Sequence, residues 1–313
     1  MSEATDTSPM ISVIIPTRDR ADHLARCLPT ILANDYPTFD IIVVDQSTTD
    51  GGQPTAAFVD PRLRYQRQNA RGKSRALNQA LTQAKGEVIA FTDDDCTVPH
   101  DWLSRGVGRL AAAPDAGIIC GKLVAAPHNP QDEFVPTFLP SSYRRLYGRL
   151  AAAQPRMGVG ANMFVRRRVF ERLVGFDECL GPGSCFRSGD DVDLTYRALR
   201  AGFTVLQDPD NSVVHWGRRA YADGSAQRLL RNNYYGAGAR LMKQLRCGDS
   251  VAAYALLQLA LRDTVHLAGN LIRLRRQAGA ARLLYLALGV VRGLRQPIDR
   301  QHWLFVPGGH ERA

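Results

Sequence analysis

The chain of 313 residues lacks the marks of several common classes. Its six cysteines, at 27, 96, 120, 179, 185 and 247, form no CxxC pair and no Cys/His set with zinc-finger spacing. The start, MSEATDTSPM, is polar and acidic, without the basic and apolar regions of a secretory leader. Free thiols in a reducing cytoplasm follow as the expectation, each cysteine serving as a small buried hydrophobe. The longest uninterrupted apolar run falls well short of the roughly 20 residues that span a bilayer. There is no internal repeat and no complete Walker pattern. Acidic residues are scarce at one end only. Residues 218–313 carry 5 Asp+Glu against 16 Lys+Arg, whereas residues 1–217 carry 25 against 24. The basic excess therefore belongs to the last third and points to an anionic partner. Leu and Ala, more than stacking aromatics, separate its charges, so nucleic acid is not the expected partner.

Residues 1–9 read as a disordered leader and 10–217 as an α/β domain. ISVII (11–15), IIVV (41–44) and EVIAFT (87–92) are continuous apolar runs, the pattern of strands buried on both faces of a parallel sheet. Helical stretches near 22–33 and 75–84 alternate with them, the second capped by Ser74. Further strands are expected at 62–66, 118–124, 162–165, 203–207 and 212–216, with a helix opening at Asp190-Asp191 and closing at Gly202. Residues 47–60 and 127–157 read as loops. Beyond Gly217 come three helical stretches, 225–246, 251–272 and 280–292. The last two are apolar but broken by Arg262, Asp263, His266 and Arg282. They suit amphipathic helices that lie on a membrane surface or cap the domain.

In a sheet of this kind ligands bind beyond the C-terminal strand ends. Three expected strands end in polar residues: Thr17/Asp19, Asp45/Ser47 and Asp93-Asp94-Asp95. Strand alternation would turn Asp93 and Asp95 to one side. Carboxylates packed so closely repel unless a hard cation neutralises them, and Mg²⁺ or Mn²⁺ bridging to phosphate oxygens fits; a solvated turn is the plainer alternative. Asp45 suits either a nucleobase N–H or its own turn. Arg71-Gly72-Lys73-Ser74 at a helix start suits a phosphate. Asp190-Asp191 at another helix start suits a general base or simple capping. His215 closes the last strand as a structural histidine or a third metal ligand.

The segments ISVIIPTRDR, IIVVDQST, NARGKSRALNQAL, GEVIAFTDDDC, GVGANMFVRRRVFERLVGFDE and SGDDVDLTYRALRAGF, in this order, resemble the family 2 glycosyltransferases of GT-A fold, over roughly residues 10–217. The resemblance implies a Rossmann-like, mostly parallel sheet and inverting transfer of a sugar from a nucleoside-diphosphate donor, UDP by default, to a glycan or lipid-linked acceptor. A role in polysaccharide or cell-envelope synthesis, on the cytoplasmic face of a membrane, would follow. It further implies that Pro16, Thr17, Arg20, Asp45, Gly72 and Lys73 line the donor site. Asp93 and Asp94 would lie near ribose and diphosphate, with Gly160 and Asn162 at the donor–acceptor junction. Asp95, with Asp93 and His215, would hold the metal, and Asp191, beside Asp190, would be the base. Many members carry Asn at the position of Asp19 and Glu at that of Asp190. Two other readings stand beside it. A sugar-phosphate nucleotidyltransferase would carry glycines after the first strand, which PTRDRADH lacks. A catalytically inactive nucleotide-sugar-binding protein would have no need for both acidic motifs.

Overall fold

A computed structural model describes residues 8–48, 59–154, 157–272 and 278–308. Most of the expected leader and the middle of the 47–60 loop lie outside them. The chain runs β1 (Ile11–Thr17), α1 (Ala21–Leu32), β2 (Phe39–Asp45), β3 (Leu63–Arg67), α2 (Lys73–Gln83), β4 (Val88–Thr92), β5 (Cys96–Thr97), α3 (Trp102–Ala111) and β6 (Ala116–Ala125). It continues through β7 (Glu133–Phe134), β8 (Arg144–Leu146), α4 (Gly148–Ala151), β9 (Asn162–Arg166), α5 (Arg167–Arg172), α6 (Asp190–Arg200), β10 (Thr204–His215) and β11 (Arg219–Ala220). It ends with α7 (Ser225–Arg246), α8 (Ser250–Ile272), α9 (Ala278–Arg295), β12 (Ile298–Asp299) and β13 (Leu304–Phe305).

The main sheet has the order β3-β2-β1-β4-β9-β6-β10-β5, with β8 also on β10. Strands β3, β2, β1 and β4 are parallel, as the unbroken apolar runs require, and Ile14, Ile15, Ile42 and Val43 have no exposed surface. Strand β9 is antiparallel to both β4 and β6, pairing Asn162 with Thr92, so it begins where β4 ends. That reversal carries the 157–161 segment to the triple Asp. Strand β10 is parallel to β6, and its last residue, His215, pairs with Cys96 of β5. The sheet is therefore mixed but mostly parallel, the GT-A arrangement.

Several local expectations change. The two runs 203–207 and 212–216 are one strand with an irregularity between Asp208 and Ser212, where Asp208 accepts from the Asp210 N–H at 2.8 Å. Ser74 does not cap α2. Gly72 holds the cap position at φ 121°, and the Ser74 hydroxyl donates instead to the Leu180 carbonyl at 2.7 Å. The long 127–157 stretch contains β7, β8 and α4. Four cysteines are buried and two half-buried, all as free thiols.

The three last helices pack on each other and on the α/β part. Helices α7 and α9 approach so closely that a Cβ on Gly289 would lie 2.1 Å from the Tyr235 carbonyl, and one on Gly238 would lie 2.2 Å from that of Leu286. Lys243 of α7 has no exposed surface and pairs with Asp177 at 2.6 Å and with Asp193 of α6 at 2.8 Å. Asp193 also binds Arg197 at 2.8 Å, and Asp177 accepts from the Phe305 N–H at 2.9 Å. Among the described residues no helix is long and apolar enough to cross a membrane.

Candidate active site

The ends of β1, β2, β4 and β10 surround a cavity of about 410 Å³ lined by Pro16, Thr17, Arg20, Gly72, Lys73, Asp93, Asp94, Asp95 and His215. Four strand ends on one edge of the sheet thus bring together residues up to 199 positions apart in sequence. The turns after β1 and β2 are tied to each other: the Asp19 N–H donates to Ser47 Oγ at 2.7 Å, and Asp19 accepts from the Thr48 N–H at 2.9 Å. Asp19 has φ 53°, a left-handed conformation that Asp and Asn tolerate best among residues with a Cβ.

The triple Asp lies in a turn, because β4 ends at Thr92. Strand alternation therefore does not set its directions: Asp93 goes to Lys73, while Asp94 and Asp95 converge on Arg20. Asp93 pairs with Lys73. Asp94, nearly buried, accepts from Thr17 Oγ1 at 2.7 Å and from Arg20 at 3.2 Å. Asp95 meets Arg20 at 3.1 Å and His215 Nε2 at 3.3 Å. Burial pushes the Asp94 carboxyl up, against Arg20, which draws it down. Asp95 is held below the usual carboxylate range, since His215 and Arg20 outweigh burial. Burial works against the Lys73 ammonium, yet Asp93, Asp190 and Asp191 hold its proton more tightly than usual.

Asp95, Cys96 and His215 place their ligand atoms within 4.8 Å of one another, while Asp93 is turned to Lys73 and is outside that group. His215 Nδ1 lies 2.8 Å from the Pro136 carbonyl. A carbonyl only accepts, so Nδ1 carries a proton. Without a cation Nε2 holds a second one towards Asp95, which against burial raises the His215 pKa. A bound cation would take the place of that Nε2 proton. A Cβ on Gly217 would come within 2.5 Å of both Asp95 Oδ2 and His215 Nε2, so glycine keeps that space open. Carboxylate plus imidazole across an open space fits Mn²⁺ or Mg²⁺. The Cys96 thiol, its proton held by burial and by Asp93 and Asp95, is the poorest donor of the three.

At the other rim, α6 starts with Gly189 at φ 93°. Asp191 Oδ2 accepts from the Gly160 N–H at 2.9 Å and Oδ1 from the Val192 N–H at 2.7 Å. Gly160 thus orients a half-buried carboxylate at a positive helix end. Asp190 points inward instead, and a Cβ on Gly181 would lie 2.9 Å from its Cγ.

Of the expected donor contacts, Asn162 is fully engaged elsewhere and Asp45 is engaged in part. Asn162 has no exposed surface: its Oδ1 accepts from Trp102 Nε1, and its amide donates to the Lys122 and Asn211 carbonyls, each at 2.9 Å. It ties β9 to the layer beneath and does not enter the cavity. The Asp45 carboxylate accepts from the Ser47 N–H at 2.8 Å and from Tyr65 Oη, so it stabilises its own turn. Its neighbour Gln46 lines the cavity and grips Gly72, donating to its carbonyl at 3.0 Å and accepting from its N–H at 3.1 Å. Gln46 and Arg219 were not singled out from the sequence. Arg219, just beyond His215, lines the same cavity, and burial lowers its pKa despite Asp95. A second basic residue so close behind a strand-end histidine was the available signal.

The chain is similar to known glycosyltransferases. The chain is 27% identical over 222 residues to "Glycosyltransferase AglE" of Haloferax volcanii, covering 68% of this chain and 69% of that one. It is 28% identical over 233 residues to an N-acetylglucosaminyltransferase of Rhizobium meliloti, covering 68% of this chain but only 53% of that one. Among solved structures it resembles the mannosyltransferase PcManGT of Pyrobaculum calidifontis in complex with GDP-Man and Mn²⁺, with TM-score 0.61, 22% identity and coverage of 93% and 88% of the two chains. It also resembles S. aureus TarS 1–349 in complex with UDP-GlcNAc, with TM-score 0.55, 18% identity and coverage of 73% and 66%. The profile described as "Glycosyl transferase family 2" matches residues 12–174, more than half of the chain, and the protein belongs to that family.

Proposed function

We propose that this glycosyltransferase moves a sugar from a nucleoside-diphosphate donor to an acceptor hydroxyl with inversion, in the synthesis of a polysaccharide or other envelope glycan. The observation that carries the reading is the meeting of two devices at one cleft. Asp191 is fixed by Gly160, whose neighbours Val159 and Ala161 line the cleft, and its charge acts on Lys73; Asp93–Asp95 with Lys73, Arg20 and Arg219 line the same cleft. The acceptor hydroxyl gives its proton to Asp191, and its oxygen attacks the anomeric carbon from the face opposite the diphosphate. Lys73, Arg20 and Arg219 receive the charge that develops on the departing nucleotide. A divalent cation held by Asp95 and His215 would supply further charge neutralisation at the diphosphate.

Relatives guide the choice of donor. UDP-sugars come first, and GDP-mannose is the second reading, favoured by the extended likeness to PcManGT with its GDP-Man. A panel of UDP-, GDP- and dTDP-sugars with Mn²⁺, read by thermal shift and donor hydrolysis, tests both. One donor class raises the melting temperature and is hydrolysed slowly; no response from any of them would sink the proposal.

The same reading places the protein on an anionic membrane surface. Tyr254, Leu257, Leu261 and Val265 recur at helical spacing on α8 and are all more than half exposed. Leu284, Leu288, Val291 and Leu294 do the same on α9 with slightly less exposure. With the excess of arginine in residues 218–313, these stripes suit helices lying at a headgroup boundary. Flotation with anionic vesicles, lost at high salt and on Leu257→Asp/Leu261→Asp, is the expected result. Equal flotation of the double variant would reject the docking face.

A further inference from the structure

Each carboxylate of the triple Asp holds a basic side chain of the protein itself. Asp93 pairs with Lys73, and Asp95 Oδ1 faces His215 Nε2 at 3.3 Å. Arg20 serves the other two oxygens: its Nη1 reaches Asp94 Oδ1 at 3.2 Å and Asp95 Oδ2 at 3.1 Å. Among the described residues the Arg20 side chain has no further hydrogen-bond partner. Against burial, the two acids hold its proton more tightly than usual. One guanidinium nitrogen thus already neutralises part of the charge that a hard divalent ion would neutralise.

Arg20 can leave those acids without disturbing the fold. It precedes α1 at Ala21, caps nothing with its side chain, and that side chain is 41% exposed. It lines the cleft and also a neighbouring cavity of about 510 Å³. The second cavity has His23, Arg26, Arg218 and Arg219 in its lining and Asp95 as its single acid. Like charges therefore oppose a move outward. The alternative partner for Arg20 is an anion that enters the cleft, and a diphosphate offers the paired oxygens that a planar guanidinium binds best. A guanidinium and a divalent ion on the same carboxylate repel each other, so the position of Arg20 bears directly on the affinity of Asp95 for metal.

We infer that Arg20 gates the cation site. Before nucleotide binds, Arg20 bridges Asp94 and Asp95 and keeps divalent ions off Asp95. The entering diphosphate draws the guanidinium to itself and opens the acid to Mn²⁺ or Mg²⁺. Metal loading is then conditional on the donor, and by linkage the metal strengthens the hold of Arg20 on the diphosphate. The inference rests on Asp95 and His215 as cation ligands and gives Arg20 a positioning role beyond contact with the donor.

The test titrates Mn²⁺ alone into the full chain, with free Mn²⁺ followed by its EPR signal, and repeats the titration with UDP and with GDP. Arg20→Gln should bind Mn²⁺ alone about tenfold more tightly than the wild type, the effect of removing a unit charge a few ångströms from a divalent ion. It should bind UDP or GDP alone more weakly. Loss of a donor contact or of a structural prop would not raise the affinity for a cation. Arg20→Lys keeps the charge and should stay near the wild type. Arg219→Gln separates a gate from a general field: Arg219 lines both cavities and donates to the Arg218 carbonyl at 2.8 Å, but among the described residues to neither acid. It should gain clearly less than Arg20→Gln. Melting temperatures without ligand show that each variant is folded.

An affinity of Arg20→Gln for Mn²⁺ alone at or below that of the wild type overturns the gate. So does an equal gain in Arg219→Gln, which would leave only the overall positive charge of the cleft. If the wild type binds Mn²⁺ in the presence of nucleotide, either result leaves the cation reading standing and removes the gate alone. A gain in Arg20→Gln that survives the added change His215→Ala places the cation elsewhere and overturns the ligand assignment together with the gate. No Mn²⁺ binding by any of these proteins, with or without nucleotide, does the same.

Discussion

The buried cluster of Asp177, Lys243, Asp193 and Arg197 and the open cluster of Asp93–Asp95, Lys73, Arg20 and His215 are made from nearly the same side chains. In the first, Asp177, Lys243 and Asp193 have no exposed surface, Arg197 has 2%, and the cations and acids close on each other. In the second, Arg20 is 41% exposed and Asp93 26%, and the charges line a cavity. The first cluster closes on itself, save for Arg197 Nη1, which is buried without a hydrogen-bond partner, and joins α7 to α6. The second keeps water-facing cations and an open space at Gly217. Burial with closed pairing separates scaffold from site here, whereas residue type does not. The two clusters are only two residues apart on α6, where Asp191 faces one and Asp193 belongs to the other, so the scaffold also sets the position of the base.

Substitutions on either side of that divide should fail in different ways. The largest effect is expected for Asp191→Asn. Loss of a positioned general base lowers turnover by about 10²–10⁴-fold, while nucleotide-sugar binding, followed by thermal shift, stays near the wild-type value. Near-normal turnover would remove Asp191 from the chemistry. Lys243→Ala comes next and acts on stability: removing one partner of a buried pair costs about 3–5 kcal/mol. Urea unfolding should show it as a lower midpoint at unchanged slope. A loss below about 1 kcal/mol would mean that the pair is hydrated and that α7 is not fastened in this way.

The third expectation concerns the space between Asp95 and His215. His215→Ala removes a nitrogen donor, and Gly217→Ala places a methyl group 2.5 Å from both candidate ligands. Each should weaken Mn²⁺ binding by roughly 10–100-fold, the range seen when groups around a metal are disturbed. Stabilisation by Mn²⁺ with nucleotide is the readout, and an unchanged response in both variants would move the cation elsewhere in the cleft.

Much of this division was legible in the sequence, and the illegible part has physical reasons. Continuous apolar runs gave β1, β2 and β4, because strands covered on both faces admit few polar residues. Strand ends in Thr17, Asp45 and Asp93–Asp95 then located the cleft. The sense of β9 was not legible, since NMFV reads the same in either direction, yet that reversal brings Gly160 to the site. Nor was Asn162: its amide is the kind of group that binds a sugar, and only the positions of Trp102, Lys122 and Asn211 show it as a strut. Lys243 and Arg240 were hidden for a related reason. A basic helix reads as a charged surface, and burial of Lys243 depends on Asp177 and Asp193, 66 and 50 residues away, while Arg240 rests near the Tyr196 ring, 44 residues away.

The last effect expected lies between the two clusters, at Asp190. Burial first, then the neighbouring Asp191 charge, pushes its carboxyl from the ordinary 3.8 up to about 7, against the pull of Lys73. The folded protein therefore holds this proton more tightly than the unfolded chain does. The resulting stabilisation is complete below about pH 4 and is lost as pH rises through about 7, beyond which it no longer changes. Asp190→Asn cannot titrate. The wild type should thus lose stability relative to this variant between pH 4 and pH 8, measured as the difference in urea midpoints. Asp95, held low by His215 and Arg20, is present in both proteins and cancels from that difference. Parallel curves across the range would show that Asp190 is already ionised in the folded state. It would then belong with the open cluster as a charged partner of Lys73, and the boundary between scaffold and site would shift inward by one residue on α6.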